Sequence, residues 1–203
     1  MTAAAVRAVV GDLVDTVRVH EGSVVVRGVP RSAGIGDPAR LRTTLCDVIY
    51  ADFYCSWNGA ADAGSERDAP ALVAALVHAA ADVPAAAMSD GFVHVYGGLG
   101  GQGTEIPDAR FYWNVGPAGA CAVLAAVRTS LVRFGVPFHF KCPIEPAGYA
   151  RTDTAVLYVQ APTVAVVAAL LGARIAELRP HLRDATPAFT LRLEPGLAFA
   201  ENP

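Results

Sequence analysis

The sequence predicts an α+β fold in which a mainly helical N-terminal part precedes a sheet core with packed helices. Up to residue 85, helical periodicity dominates the pattern of apolar residues. From residue 86 onward, stretches with strand and helix periodicity alternate, which predicts a mixed or antiparallel sheet. With 203 residues, 53% hydrophobic and 17% charged, the chain is expected to fold as one domain, 1–203, with subregions 1–85 and 86–203.

The N-terminal elements follow from periodicity and from helix-start signals. An aspartate followed by proline, Asp37-Pro38, offers a capping carboxylate and a residue suited to the first helical turn. The pattern predicts three helices and one short strand, at 2–17, 38–55 and 69–82 for the helices and 23–28 for the strand.

The C-terminal elements alternate. Gly116-Pro117 begins a helix, and Gly135 is a natural residue to end it. Period-two patterns predict strands, and longer apolar patterns predict helices. The strands are predicted at 91–98, 109–115, 136–143, 154–160 and 186–196, and the helices at 117–134 and 162–182.

Charge and cysteine spacing exclude several kinds of site. The net charge of -3 offers no field for nucleic acid or an anionic membrane. The four cysteines form no C-x-x-C pair and no two histidines have ligand spacing, so neither a metal nor a cofactor is expected. The N-terminus lacks signal-peptide architecture, and the longest apolar run falls short of the ~20 residues of a membrane span. We therefore expect a cytoplasmic protein with free thiols.

Lys141 is the single lysine among sixteen basic residues, and it lies in the apolar stretch FHFKCP. Strand alternation predicts that His139 and Lys141 share one face of a strand, opposite Phe138, Phe140 and Cys142. A lysine can serve as a general base when burial and nearby cations lower its pKa, whereas arginine keeps its proton. The alternative is a wet outer face on which Lys141 points into water.

Two arginines occupy positions suited to binding an anion. Arg151 shortly precedes a strand, from which its forked donors could reach phosphate; alternatively it pairs with Asp153. Arg192 interrupts an apolar strand, as expected either for a ligand contact or for an edge strand.

The stretch RFYWNV places three polar side chains in line. Arg110, Tyr112 and Asn114 share one face by the period of two. Tyr112 could donate a proton or a hydrogen bond there. The alternative is a solvated strand face.

Taken together, RFYWNV, GVPFHFKCP, RTDTAVLYV and TPAFTLRLEPGLAFAENP resemble the HopA-type family of type III effectors. The resemblance is good from about residue 109 onward and weaker before it. Relatives of that family occur in biosynthetic clusters for ribosomal peptides, including class V lanthipeptides and thioamitides. The resemblance implies a phosphothreonine/phosphoserine lyase that acts on a precursor peptide phosphorylated by a partner kinase, without metal or cofactor.

The resemblance also implies roles for individual residues. Two functions are alternatives to the lyase: a non-catalytic subunit that binds a phosphorylated or precursor peptide for the kinase, and a host-targeted effector. On the lyase interpretation the roles are Lys141 as general base, His139 or Tyr112 as general acid, Tyr158 as an orienting group, and Arg151, Arg192 and Arg110 as phosphate ligands.

Overall fold

The computed structural model describes residues 3–20, 23–31, 37–55, 69–80, 85–98 and 108–201. The chain divides into two compact units, Met1–Trp57 with Pro187–Phe189, and Asn58–Thr186 with Thr190–Pro203. Within the described ranges it forms six α-helices and two antiparallel sheets, which confirms the α+β prediction.

The first unit packs helices against a small sheet. Its described elements are α1 (Ala3–Thr16), β1 (Val17–His20), β2 (Ser23–Val26), β3 (Val29–Pro30) and α2 (Pro38–Ile49). Val24, Val26 and Val48 form its buried centre. Asp37 caps α2 as predicted, because its carboxylate accepts a hydrogen bond from the Ala39 N–H. The predicted helix to residue 55 instead changes to a π-helical turn at Tyr50–Tyr54.

The second unit contains the larger sheet. Its described strands are β4 (Ala85–Ser89), β5 (Phe92–Gly97), β6 (Ala109–Trp113), β7 (Phe138–Pro143), β8 (Ala155–Val159), β9 (Leu191–Glu194) and β10 (Leu197–Glu201). They lie in the order β4-β5-β7-β8-β6-β10-β9, and each printed pair is antiparallel. Strands distant in sequence are therefore neighbours, and β8 separates β7 from β6.

Helices bury one face of this sheet. They are α3 (Ala69–Ala79), α4 (Pro117–Leu131), α5 (Val164–Gly172) and α6 (Ile175–Leu178). Pro117–Phe134 has the length and apolar composition of a possible membrane span, but its buried residues, such as Val123 and Val127, belong to the core. A 3₁₀ turn follows α4, and Gly135 ends it in the left-handed conformation as predicted.

Two predicted elements differ in the structure. The single strand expected at 186–196 is a hairpin, because Gly196 takes a φ of +69° and a Cβ there would lie 2.0 Å from the Arg183 carbonyl oxygen. The helix expected at 162–182 is divided into α5 and α6, with 3₁₀ turns at Ala161–Thr163 and Arg179–His181. Strands β1 and β4 were not predicted, because the short strand β1 directly continues α1 and β4 is rich in alanine.

Candidate functional site

Alternation along β7 separates core residues from half-buried polar residues, as predicted. Phe138, Phe140 and Cys142 are buried in the core, whereas His139 and Lys141 are half-buried on the other face. We call this second face of the large sheet the polar face.

The first row of side chains on the polar face crosses four strands. The strand register places Tyr96 opposite His139, His139 opposite Tyr158, and Tyr158 opposite Arg110. The rings of Tyr96 and His139 stack at 4.5 Å between centroids, and those of His139 and Tyr158 at 4.8 Å. The Arg110 guanidinium lies over the Tyr158 ring at 5.4 Å, so a cation ends the stack.

The second row contains Lys141. It runs from His94 through Lys141 and Val156 to Tyr112, on strands β5, β7, β8 and β6. Val156 and Tyr112 also lie on the polar face, but they are buried, with exposed fractions of 6% and 3%. Lys141 and Tyr112 are thus two strand spacings apart, roughly 10 Å between Cα atoms, with a small apolar residue between them.

A histidine pair links the two rows. His94 Nδ1 and His139 Nε2 are 2.9 Å apart, so one ring donates a hydrogen bond to the other. Burial, followed by the charges of His94 and Lys141, lowers the pKa of His139 from 6.5 to about 4. Burial and Lys141 also lower the pKa of His94. Both imidazoles are therefore predominantly neutral near pH 7.

The surroundings of Lys141 favour its neutral form. Burial, and then the positive charge of Arg151, lower the pKa of Lys141 below its ordinary 10.5, against smaller opposing effects of Asp153 and Asp90. The Lys141 Nζ also lies 3.9 Å from the centroid of the Phe92 ring. That contact favours the ammonium form, so it acts against the effects of burial and Arg151.

Arg151 is held in place by a carboxylate. Its Nε and Nη2 donate to the two oxygens of Asp153 at 2.8 and 2.7 Å, and Asp153 is only 6% exposed. The ion pair between Arg151 and Asp153, which the sequence offered as an alternative to a ligand contact, is therefore present. This bidentate pair fixes the plane of the guanidinium.

Arg110 contacts both tyrosines of the polar face. Besides lying over Tyr158, it donates from Nη1 to the Tyr112 hydroxyl at 3.5 Å, a long hydrogen bond. Burial raises the pKa of Tyr158, and Arg110 partly offsets that rise. Tyr158 is thus a neutral hydrogen-bonding group near pH 7. Asn114, predicted in line with Arg110, follows β6 and is buried, where its amide donates to the Ala185 carbonyl.

The structure does not bring Arg192 to Lys141. Arg192 lies on edge strand β9, in the row of Lys141 but four strand spacings from it, roughly 19 Å between Cα atoms. Its guanidinium pairs with the exposed carboxylate of Asp184 at 2.7 Å. The neighbours of Lys141 on the polar face are His94 and Val156 on the adjacent strands, His139 on its own strand, and Arg151, whose charge acts on it. Tyr158 lies on the adjacent strand β8, and Tyr112 and Arg110 lie one strand farther away, on β6.

Sequence reasoning missed the contribution of β5. Phe92, His94 and Tyr96 all lie on the polar face, while Val93 and Val95 are buried. The period-two alternation was visible, but nothing in the sequence identified which strand lies next to β7. Across the described residues, no three His, Cys, Asp or Glu side chains are grouped to hold a metal.

A comparison with protein families shows to which family the chain belongs. Residues 83–203, more than half of the chain, match the HopA1 effector protein family. The chain belongs to this family. The earlier resemblance to HopA-type effectors is thereby confirmed, and the matched region contains β4 to β10 and the polar face.

Solved structures of effectors have the same fold. The effector protein from Pseudomonas syringae pv. tomato strain DC3000 aligns with a TM-score of 0.58 and 18% identity, over 79% of this chain and 71% of that chain. The effector protein from P. syringae pv. syringae strain 61 aligns with a TM-score of 0.57 and 16% identity, over the same shares. At these identities the likeness establishes the fold alone. A comparison with curated proteins gives no match.

Proposed function

We propose that this HopA1-family protein is a peptide-modifying lyase. It eliminates phosphate from phosphoserine or phosphothreonine in a ribosomally made precursor peptide and leaves dehydroalanine or dehydrobutyrine. A partner kinase phosphorylates the peptide first. The observation that carries the proposal is the single lysine, Lys141, on a polar face where burial and Arg151 lower its pKa.

The reaction needs a base, a phosphate site and a proton source. The neutral amine of Lys141 takes the Cα proton, and the electron pair of the broken C–H bond forms the Cα=Cβ double bond. The Cβ–O bond breaks, and phosphate leaves with the bonding electrons. A proton reaches the departing oxygen from an acid, so the products are the dehydroamino acid and inorganic phosphate.

Tyr112 fits the role of acid better than His139. With a pKa of about 4, His139 carries its acidic proton in only about one molecule in 10³ at pH 7. Tyr112 lies in the row of Lys141, across buried Val156, and Arg110 donates a hydrogen bond to its hydroxyl. On this proposal the phosphorylated side chain lies over Val156, between Lys141 and Tyr112.

The phosphate site on this proposal consists of Arg151 and Arg110. The charges of both act on Tyr158, and that of Arg151 also acts on Lys141, while Asp153 fixes the plane of the Arg151 guanidinium. Arg192 lies too far away to share that phosphate with Arg151. It would contact a more distant part of the substrate.

A second candidate function is a non-catalytic subunit that binds the phosphorylated peptide for the kinase. The contact of the Lys141 Nζ with the Phe92 ring favours it, because this contact stabilises the ammonium form, which cannot accept a proton. On that alternative, the same face binds phosphate but Lys141 removes no proton.

Mass spectrometry on a phosphorylated, leader-bearing precursor peptide tests the proposal, with the kinase absent and present. The wild-type protein should remove about 98 Da, the mass of phosphoric acid, and Lys141→Ala should not. Lys141→Met keeps the apolar stem of the side chain and should be equally inactive. Circular dichroism of both variants checks that they are folded. If the phosphopeptide binds but its mass is unchanged under every condition, the protein is a binding subunit.

A further inference from the structure

Phe92 lies on the polar face at the start of β5, diagonally across from Lys141. Lys141 is paired in register with His94, and Phe92 precedes His94 by two residues on the same face of the strand. Diagonal neighbours on one face of an antiparallel pair are within reach of long side chains. The Lys141 Nζ lies 3.9 Å from the centroid of the Phe92 ring, which is a cation–π contact.

This contact directs the amine away from the space over Val156. Strand β7 lies between β5 and β8, so Phe92 and Val156 are on opposite sides of Lys141. Among the described residues no carboxylate forms an ion pair with Nζ, so the ring is the group that stabilises the ammonium at this position. On the proposed function, the amine must leave the ring before it takes a proton from a side chain over Val156.

The attraction between the ring and the lysine depends on the protonation state of the lysine. The negative face of an aromatic ring attracts an ammonium group but not a neutral amine. A side chain that reaches solvent changes rotamer within picoseconds to nanoseconds. The position of the Lys141 amine can therefore follow its charge, without limiting the rate of a slower chemical step.

We propose that Phe92 is a positioning residue that binds the protonated side chain of Lys141 and releases the neutral one toward Val156. This assignment rests on the proposed function, because it concerns the position of the base before and after proton transfer. Before the reaction, the neutral amine is free to approach the Cα–H bond of the substrate. After it, the ammonium returns to the Phe92 ring with the proton, away from the new double bond, and later loses that proton to water.

Several titratable or charged groups face Lys141 and contribute to its protonation equilibrium. They are His94 and Asp90 on the β5 side, His139 on the same strand, and Arg151, Asp153 and Tyr158 on the β8 side. The substitution Phe92→Leu changes none of these groups and keeps an apolar side chain beside the amine. It therefore removes the aromatic ring alone.

The test follows the single lysine by NMR, in protein labelled with ¹³C at lysine Cε. Below the pKa of Lys141, its Cε protons should show an upfield shift and cross-peaks to the Phe92 ring, because the end of the side chain lies over that ring. Above the pKa of Lys141, both signals of contact should decrease as the neutral amine leaves the ring.

Substitution of Phe92 tests whether the ring stabilises the ammonium. Phe92→Leu should lower the pKa of Lys141, because the acid dissociation constant of the ammonium rises about two- to threefold when the cation–π contact is lost. Phe92→Tyr keeps an aromatic ring and should leave the pKa of Lys141 at the wild-type value. Phe134→Leu is the matched control, since Phe134 is 61% exposed on the turn after α4 and does not belong to the polar face.

The elimination rate on the phosphorylated, leader-bearing precursor peptide gives a second readout. Below the pKa of Lys141, Phe92→Leu should eliminate phosphate about two- to threefold faster than the wild type, because a larger fraction of the amine is neutral. The KM should not change, since Phe92 lies on the far side of Lys141 from the substrate. The difference in rate should disappear at high pH, where both proteins carry the neutral amine.

Three results would overturn the assignment of Phe92. They are an unchanged or raised pKa of Lys141 in Phe92→Leu, ring-induced shifts that persist in full above the wild-type pKa, and a raised KM, which would make Phe92 a contact of the substrate. Failure of the lyase proposal gives a different result. If neither protein eliminates phosphate but the NMR results are as expected, the protein is not a lyase, and Phe92 still determines the position of protonated Lys141.

Discussion

The two faces of the large sheet use the same strands for different purposes. Phe140 and Lys141 are adjacent on β7, yet Phe140 is fully buried under the helices and Lys141 belongs to a row of polar side chains. On the core face, apolar residues of β5, β6, β7, β8 and β10 belong to one continuous cluster with the helices. On the polar face, stacked rings, a histidine pair and arginines occupy the central strands.

The difference shows how one scaffold separates stability from chemistry. Burial on the core face contributes to folding through apolar area, roughly 25 cal/mol per Å². Burial on the polar face instead lowers the pKa values of Lys141, His139 and His94. The rigid core face thus holds in place groups that are costly to bury.

The largest expected effect is on turnover at Lys141. If Lys141 is the base, Lys141→Ala should lower the elimination rate by about 10²- to 10⁴-fold. Its free energy of unfolding should change by less than about 1 kcal/mol, because a half-buried cation with a lowered pKa contributes little to folding. Single-turnover kinetics and urea denaturation measure the two quantities. A large loss of stability in Lys141→Ala would indicate that Lys141 has a structural role and not a catalytic one.

The neighbouring core residue should behave in the opposite way. Phe140→Ala removes a fully buried ring and should lower the free energy of unfolding by about 3–5 kcal/mol. Urea unfolding followed by circular dichroism checks this value. Any loss of activity should disappear at low temperature, where the folded fraction is restored. A lower elimination rate in fully folded Phe140→Ala would contradict the assignment of stability to the core face and chemistry to the polar face.

The pKa of Lys141 can be read directly, because the chain has one lysine. Protein labelled with ¹³C at lysine Cε should give one signal, which titrates below the ordinary 10.5. Arg151→Gln removes a cation and should raise that pKa, whereas Asp153→Asn should lower it. The elimination rate should rise with pH through the same pKa, since only the neutral amine accepts a proton. A titration at or above 10.5 would argue against Lys141 as base.

His139 should make stability depend on pH. Its folded pKa is about 4 and its ordinary value 6.5, so between these values the unfolded chain binds more protons than the folded one. The contribution of neutral His139 to the free energy of unfolding is fully present above pH 6.5 and is lost as the pH falls toward 4. Urea midpoints of the wild type should therefore decrease over this range, and His139→Gln should reduce the decrease. The exposed His181→Gln serves as the control, and identical slopes for both variants would contradict the assignment.

The smallest effect is expected at Arg192. Its exposed pair with Asp184 should contribute less than about 1 kcal/mol to stability. On the proposed function, Arg192→Gln should also slow elimination much less than Arg151→Gln, because it lies four strands from Lys141. Parallel rate measurements on the two variants decide the order. Equal rate defects in the two variants would indicate that Arg192 also binds the phosphate.

Much of the fold could be predicted because it depends on local rules. The Asp37 cap, the Gly135 helix end and the alternation along β7 are properties of neighbouring residues. The hairpin at Gly196 could not be predicted as easily, since the contact that requires glycine there comes from Arg183, thirteen positions earlier in the chain.

The sequence by itself determined the residue types of the candidate site and the face of β7 that carries them. It singled out one lysine among arginines, and strand periodicity placed it opposite the core. Only the tertiary structure decided which groups surround Lys141. Strand order brought His94 beside it and placed Arg192 four strands away, because pairing between strands depends on the packing of the whole sheet and not on spacing along the chain.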